Sequence, residues 1–274
     1  MKTINRKDFT NGFVAALELA DGMRIETTAT CLPISTEMRG TGRTDNKVDY
    51  NDHKDVHWSQ KYMVGISTQS GCPIKCKFCA VNKLTARQGW RNLTADEMVA
   101  QVEWAIEQAG HDPEDAQLFR ILFTRMGEPA MNVKNVVEAV RRLKARYPKV
   151  RIQVSTIGFG KHSQRLVNAL YEFDNIELQF SIHSTSNEYR QWLQHKDVSS
   201  NEDISELIRE WHSVPREWKV TLNFALTTET PFDVKELRRQ FNPDEVFIKV
   251  SPINENSESD DNGIKSLFAN NNTL

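Results

Sequence analysis

Short apolar runs alternate with amphipathic segments along most of this chain. Six runs have the length of β-strands, at residues 62–67, 118–123, 150–154, 176–182, 220–226 and 246–250. Segments with helical periodicity lie between or after them, at residues 94–109, 132–147, 162–173, 204–212 and 234–241. Thr94 and Glu97 have the spacing of a capping box, which would start the first of these helices. The alternation predicts an α/β fold of six βα units, with parallel strands and helices outside.

Three further segments flank this repeat. Residues 13–19 and 24–30 surround Asp21-Gly22, a pair preferred in tight turns, and predict a β-hairpin. Residues 35–60 are polar without a clear period, and we interpret them as a lid or substrate-recognition loop. Residues 256–274 are polar and acidic and are expected to form a frayed tail. The predicted organisation is an N-terminal region of residues 1–61, the repeat in residues 62–255, and this tail.

Composition and charge narrow the classes of protein. The chain carries 35 Lys and Arg against 37 Asp and Glu, a formal net charge of -2, so nucleic acid would need a local basic patch. No apolar run approaches the length of a membrane span. Residues 1–8 are charged and no apolar segment follows them, which is unlike a secretory signal. We therefore expect a cytoplasmic protein without a membrane partner.

The cysteines indicate a metal centre. Cys72, Cys76 and Cys79 form a C-x3-C-x2-C motif directly after the first strand of the repeat. Three thiolates on one tight loop can hold three irons of a 4Fe-4S cluster and leave the fourth iron open to a ligand. Zinc is the alternative, with Cys31 or a histidine as fourth ligand, although zinc sites more often contain two cysteine pairs or a pair plus histidines. Unliganded core cysteines are the remaining interpretation.

This motif, with Phe78 before its last cysteine, resembles that of the radical S-adenosylmethionine (SAM) superfamily. The resemblance implies a partial (βα)6 barrel, to which the N-terminal β-hairpin is an extension. It also implies a 4Fe-4S cluster on Cys72, Cys76 and Cys79, and SAM bound at the open iron. The implied chemistry is reductive cleavage of SAM to a 5′-deoxyadenosyl radical that takes a hydrogen atom from a substrate. An external one-electron reductant such as flavodoxin or ferredoxin is implied as a partner.

Four further motifs lie at the carboxyl ends of predicted strands, where parallel α/β folds place their sites. They are Met126-Gly127-Glu128-Pro129, Ser155-Thr156-Ile157-Gly158, Ser181-Ile182-His183 and Ser251-Pro252-Ile253-Asn254. Two more motifs are Ser70-Gly71-Cys72 and Arg91-Asn92-Leu93-Thr94. Together they resemble the ribosomal-RNA adenine methyltransferases of the RlmN and Cfr kind, from about residue 13 to residue 254. The resemblance implies that SAM is contacted at its methionine end, ribose and adenosine by Gly127, Glu128, Ser155, Ser181, His183 and Asn254.

Glu26, in the hairpin, matches a proton acceptor of that family. A solvated strand carboxylate remains the alternative for Glu26, as does a satisfied buried histidine for His183. A surface carboxylate is the alternative for Glu128, and an ordinary loop residue for Asn254.

The sequence departs from these methyltransferases at their two mechanistic cysteines. Gly65 aligns with the family's resolving thiol, and no cysteine follows Cys79. The family's N-terminal RNA-recognition domain has no counterpart in the chain. These departures predict a radical SAM enzyme that takes hydrogen directly from a nucleoside, nucleotide or RNA substrate. Two alternatives stay open: an RNA adenine methyltransferase using Cys31 or a thiol outside this chain, and a non-catalytic sensor of SAM or the cluster.

A local basic patch surrounds the cysteine motif. It consists of Lys75, Lys77, Lys83, Arg87 and Arg91, with Trp90 among them. Such a patch could hold phosphates and stack a base. A solvated loop beside SAM is an equally supported interpretation.

Overall fold

A computed structural model of the chain describes residues 1–34 and 56–268. The strands are β1 (Lys2–Phe9), β2 (Gly12–Glu18), β3 (Arg24–Leu32), β4 (Lys61–Ile66), β5 (Gln69–Ser70), β6 (Arg91–Asn92), β7 (Leu118–Phe123), β8 (Arg151–Thr156), β9 (Ile176–Ser181), β10 (Val220–Ala225) and β11 (Val246–Ser251). The helices are α1 (Val81–Gln88), α2 (Ala95–Ala109), α3 (Val133–Arg146), α4 (Gly160–Leu170), α5 (Asn187–Leu193), α6 (Asn201–Trp211), α7 (Val234–Gln240) and α8 (Ser257–Asp261), with 3-10 turns at Pro113–Asp115 and Pro129–Met131. Two compact units divide the chain. The first contains Met1–Ser70, Asn92–Gly127 and Lys134–Gln153, and the second contains Gly71–Arg91, Glu128–Val133 and Val154–Leu274.

The first unit combines an antiparallel sheet with the start of the parallel repeat. Its strands lie in the order β1-β2-β3-β4-β7. Strands β1 to β4 pair antiparallel, whereas β4 and β7 pair parallel. The predicted hairpin is β2 and β3, and its Asp21-Gly22 turn is closed by Gly22 N donating to Leu19 O at 3.0 Å. Strand β1 was not predicted, because an edge strand whose residues are mostly exposed has no alternating pattern.

A buried polar link attaches helix α2 to the end of β4. Gln101 is fully buried, and its Oε1 accepts from Ser67 N at 2.9 Å and from the Thr27 hydroxyl at 3.1 Å. Its Nε2 donates back to Ser67 O at 3.1 Å. A buried side-chain amide is stable where its donors and acceptor have partners. The two bonds between Gln101 and Ser67 therefore fix the backbone at the carboxyl end of β4.

The second unit contains the later part of the repeat. Its strands β9, β10 and β11 lie in that order, with β10 parallel to both β9 and β11. Large apolar side chains of these strands and of α6 are fully buried, among them Phe180, Phe224 and Trp211. The capping box of α6 begins at Ser200, whose hydroxyl accepts from Asp203 N. The α/β class with parallel strands, predicted from the alternation, is confirmed.

The structure differs from the prediction at several short elements. Helices α1 and α5 were missed, because eight and seven residues carry too little periodicity. The expectation of a frayed tail is wrong for its described part: α8 begins with a capping box at Asn256, and Ile264 is 3% exposed. Residues 35–55, most of the predicted lid, and residues 269–274 lie outside the described residues. The division at residues 61 and 255 stays a prediction. In the described part of the chain, no helix is both long and apolar enough to cross a bilayer.

Candidate functional site

The three clustered cysteines occupy the segment between β5 and α1 in the second unit. Cys79 N donates to Cys76 O at 3.0 Å, which closes a tight turn around the last two cysteines. Cys72 N donates to the Thr85 hydroxyl of α1 at 2.9 Å. Lys75 has φ of 61°, a left-handed conformation that costs a non-glycine residue about 1 kcal/mol. All three thiols are partly buried and free of disulfides.

Burial dominates the electrostatics of the Cys72 and Cys76 thiols. It raises the pKa of Cys72 to about 12, and the nearby charges of Cys79 and Glu128 act in the same direction. The pKa of Cys76 is also raised well above its ordinary value, for the same reasons. The thiolates therefore need a positively charged partner, and metal binding would release their protons.

Three thiols on one segment are the donor type of an iron–sulfur cluster. Among residues 1–34 and 56–268, no three or more His, Cys, Asp or Glu side chains are grouped to hold one metal ion. In a cubane cluster each iron takes its own thiolate, so three cysteines of one loop can stand further apart. The mutual electrostatic influence of Cys72, Cys76 and Cys79 nevertheless places them in one neighbourhood.

Glu128 is a buried carboxylate held by three donors. Its Oε1 accepts from the Thr156 hydroxyl at 2.5 Å and from Ala130 N at 2.9 Å, and its Oε2 accepts from Ile157 N at 3.0 Å. Burial raises its pKa, while these three bonds act in the opposite direction. The predicted alternative of a surface carboxylate is wrong, because Glu128 is 2% exposed. A fixed buried carboxylate suits a ligand that carries positive charge, as the amino group and sulfonium of SAM do.

Gly127 lies in the first unit and has a structural reason to be glycine. Its φ is 98°, and a Cβ there would lie 2.6 Å from Gln69 Cβ. The preceding carbonyl, Met126 O, accepts from Thr68 N at 2.8 Å. Close packing against the β5 segment therefore requires glycine, whether or not a ligand also approaches it.

The remaining predicted SAM contacts lie in the second unit. Ser155 is half-buried, and its hydroxyl accepts from Gln179 Nε2 at 3.0 Å. Ser181 is also half-buried, and its carbonyl accepts from Gln194 Nε2 at 2.7 Å. Asn254 is exposed after β11. Their roles toward SAM stay predictions.

His183 is a buried neutral histidine. Its Nδ1 accepts from Ala225 N at 2.9 Å, so the ring proton is on Nε2. Burial lowers its pKa to about 3, and the charge of Arg190 contributes. The edge of its ring meets Phe78 of the cysteine segment, with 5.3 Å between ring centroids. Nδ1 is thus used in a hydrogen bond within the fold, and Nε2–H is the group that could donate to a ligand.

Replacing His183 by asparagine is expected to weaken the acid sensitivity of folding. The native state keeps His183 neutral, so its contribution to stability is complete above pH 6.5 and is lost as pH falls from 6.5 toward 3. Each pH unit in that window costs about 1.4 kcal/mol. Asparagine tolerates the left-handed backbone of position 183, where φ is 63°. Urea unfolding of both proteins between neutral pH and pH about 4 measures the difference; parallel pH profiles would contradict a neutral His183.

A buried arginine that the sequence analysis missed connects the strand ends. Arg190 of α5 is fully buried and donates to Ile182 O at 3.1 Å, to Ile157 O at 3.1 Å and to Ser199 O at 2.6 Å. It also donates to Asn201 Oδ1 at 2.8 Å. Burial lowers its pKa to about 10, so it stays charged at neutral pH. These bonds fix the backbone next to Thr156 and His183, and no sequence pattern distinguishes this arginine from surface ones.

In the first unit, Glu26 forms an ion pair with Arg125, which the sequence analysis also missed. Gly65 lies next to this pair: a Cβ there would meet Thr28 Oγ1 at 2.5 Å and Arg125 Cδ at 3.1 Å. Thr28 and Gly65 are cross-strand partners in β3 and β4. The space beside Gly65 is therefore filled by these two side chains. Glu26 is partly exposed, and its role as acid or base stays a prediction.

Cys31 has the character of a structural thiol. It is 1% exposed on β3, and its Sγ lies 3.9 Å from Val56 O. Burial raises its pKa. A thiol of this kind is a weak nucleophile at neutral pH.

The region that contains the cysteine segment matches a known protein family, and the fold resembles that of a solved structure. The sequence pattern of the radical SAM superfamily matches residues 66–241. A radical SAM methyltransferase from Sphaerobacter thermophilus has a similar structure, with a TM-score of 0.67 and 23% identity, covering 92% of this chain and 67% of that one. At this identity the likeness concerns the fold alone.

Two curated relatives carry the description "Probable dual-specificity RNA methyltransferase RlmN". The protein from Christiangramia forsetii is 36% identical over 154 residues, 54% of this chain and 42% of that protein. The protein from Heliobacterium modesticaldum is 30% identical over 200 residues, 70% of this chain and 50% of that protein. The chain thus spans about half the length of these relatives.

Proposed function

Because this chain belongs to the radical SAM superfamily, we propose that it binds a 4Fe-4S cluster through Cys72, Cys76 and Cys79 and cleaves SAM reductively. The observation that carries the proposal is the three-cysteine segment, whose thiols form no disulfide and lie electrostatically close to the buried Glu128. When bound, the cluster and SAM would supply one-electron cleavage to methionine and a 5′-deoxyadenosyl radical. An external reductant such as flavodoxin or ferredoxin would supply the electron.

The residues of this chain would bind and orient SAM. Glu128, fixed by Thr156 and two backbone amides, would bind a positively charged group at the methionine end of SAM. The Ser155 hydroxyl would bind the ribose, and Asn254 the adenosine. The neutral Nε2–H of His183 would donate to an acceptor on the same ligand, with Ser181 beside it. Orientation and exclusion of water are the contributions a protein makes when a cofactor supplies the difficult step.

The substrate would give up its hydrogen atom directly. Two observations in the first unit support this over methyl transfer by a thiol of this chain. Cys31 is buried with a raised pKa, which suits neither nucleophile nor methyl carrier. Thr28 and Arg125 occupy the space that a side chain at Gly65 would need. Glu26, paired with Arg125, would then act as acid or base on a bound substrate.

We propose a nucleoside, nucleotide or RNA substrate. The similarity to proteins described as RNA methyltransferases supports this class. Lys75, Arg87 and Trp90 are exposed around the cysteine segment and could contact phosphates and a base. Lys83 is less available, because it pairs with Asp261 at 2.7 Å.

Product analysis after anaerobic reconstitution tests the proposal. The protein with iron and sulfide, dithionite and SAM should yield 5′-deoxyadenosine and methionine, and omission of dithionite should abolish both. Formation of S-adenosylhomocysteine, or a methylated Cys31 in the digested protein, would favour the RNA adenine methyltransferase instead. A protein that binds cluster and SAM without cleavage would favour a non-catalytic sensor.

A further inference from the structure

We propose that Asn256 is a positioning residue that fastens the cysteine segment to helix α8. Asn256 uses its whole side-chain amide in this role. Nδ2 donates to Phe78 O and to Asn254 O, both at 2.9 Å. Oδ1 accepts from Glu258 N at 2.9 Å and from Ser259 N at 3.4 Å, which caps α8. One side chain therefore joins the cysteine segment, the end of the β11 loop and the start of α8.

Two other asparagines hold the neighbouring carbonyls of the same segment. Asn262 Nδ2 donates to Lys77 O at 3.0 Å, and Asn82 Nδ2 donates to Cys76 O at 2.9 Å. Asn82 Nδ2 also donates to Glu258 Oε1 of α8 at 3.0 Å. Three consecutive carbonyls, those of Cys76, Lys77 and Phe78, thus accept side-chain amide hydrogens. These residues lead directly into Cys79, so the backbone carrying two of the thiols is held from α8 and α1.

We call the hydrogen bonds from Asn82, Asn256 and Asn262 to the cysteine segment the clamp. The clamp is anchored in the apolar core of the second unit. Ile264, just after α8, is buried with Leu193, Ala225 and Ile253, and Phe78 packs against this cluster. Lys77 N also donates to Leu193 O at 2.9 Å. Residues 256–262, read from the sequence as a frayed tail, are therefore an ordered support. That the clamp holds the cysteines ready to bind a cluster rests on the proposed function. The hydrogen bonds of the clamp do not depend on it.

Asn256→Asp separates clamping from capping. Aspartate still accepts from the first amides of α8, so the cap is kept, but it cannot donate to Phe78 O or Asn254 O. In the reduced, metal-free full chain, iodoacetamide labelling of Cys76 and Cys79 should accelerate about fivefold, the change in opening expected from loss of the bond to Phe78 O, which holds the cysteine segment. Peptide mass spectrometry gives the rate for each cysteine. Cys31, in the first unit, is the internal reference and should keep its rate.

Asp260→Asn is the matched control, since Asp260 lies on the same helix and its carboxylate pairs with Lys265. It should label as the unaltered protein does. Equal labelling of Asn256→Asp and the unaltered chain would overturn the proposal, as would equal acceleration in the control. If Asn256→Asp does not fold, Asn262→Asp, which removes the bond to Lys77 O, should accelerate labelling, and an unchanged rate would overturn the clamp. Labelling needs no cluster, so failure of the proposed function would leave this result intact.

Discussion

Replacing Cys76 by alanine is expected to abolish both cluster assembly and SAM cleavage. The remaining Cys72 and Cys79 leave two iron positions of a cubane without protein ligands, and two thiolates on a short loop do not retain the cluster. Iron and sulfide content, visible absorbance and 5′-deoxyadenosine formation after anaerobic reconstitution measure the loss. Folding should persist, because Cys76 is only partly buried.

Cys31→Ala is the matched control for this experiment. Cys31 is buried on β3, and its Sγ makes a long contact to Val56 O. The variant should keep the cluster and the cleavage activity, with a modest loss of stability from a small cavity. Loss of the cluster in Cys31→Ala, or its retention in Cys76→Ala, would contradict the proposed ligand set.

Replacing Arg190 by methionine is expected to lower the free energy of unfolding by about 3–5 kcal/mol. Methionine fills part of the volume but leaves the carbonyls of Ile157, Ile182 and Ser199 buried without this donor. Each such loss costs about 1–3 kcal/mol. Denaturant unfolding monitored by circular dichroism measures the change.

Arg238→Met on α7 is the control, because Arg238 is exposed. Its effect should stay within about 0.5 kcal/mol. A loss below about 1 kcal/mol for Arg190→Met would mean that water or a shifted backbone replaces the guanidinium.

The periodicity of the sequence predicted the parallel repeat because each strand and helix buries a repeating apolar pattern. Strand β7 coincides with the predicted residues 118–123, and α2 begins after the predicted cap at Thr94. The cysteine motif was equally accessible, since its three cysteines lie within one short segment. Local signals of this kind can be recognised without any knowledge of the tertiary structure.

The residues that sequence reasoning missed act through distant partners. Arg190 donates to a carbonyl 33 residues away, and Asn256 donates to a carbonyl 178 residues away. Arg125 meets Glu26 across 99 residues. The sequence around a single arginine or asparagine does not predict such a bond, because the bond forms only once the fold has brought distant segments together.

The crowding around Gly65 makes the effect of a side chain at this position depend on its neighbours. A Cβ there would collide with Thr28, whose β-branched side chain has little rotameric freedom, whereas the 3.1 Å approach to Arg125 Cδ requires only a small shift of a flexible stem. Substitutions at positions 65 and 28 are therefore expected to be non-additive in their effect on stability.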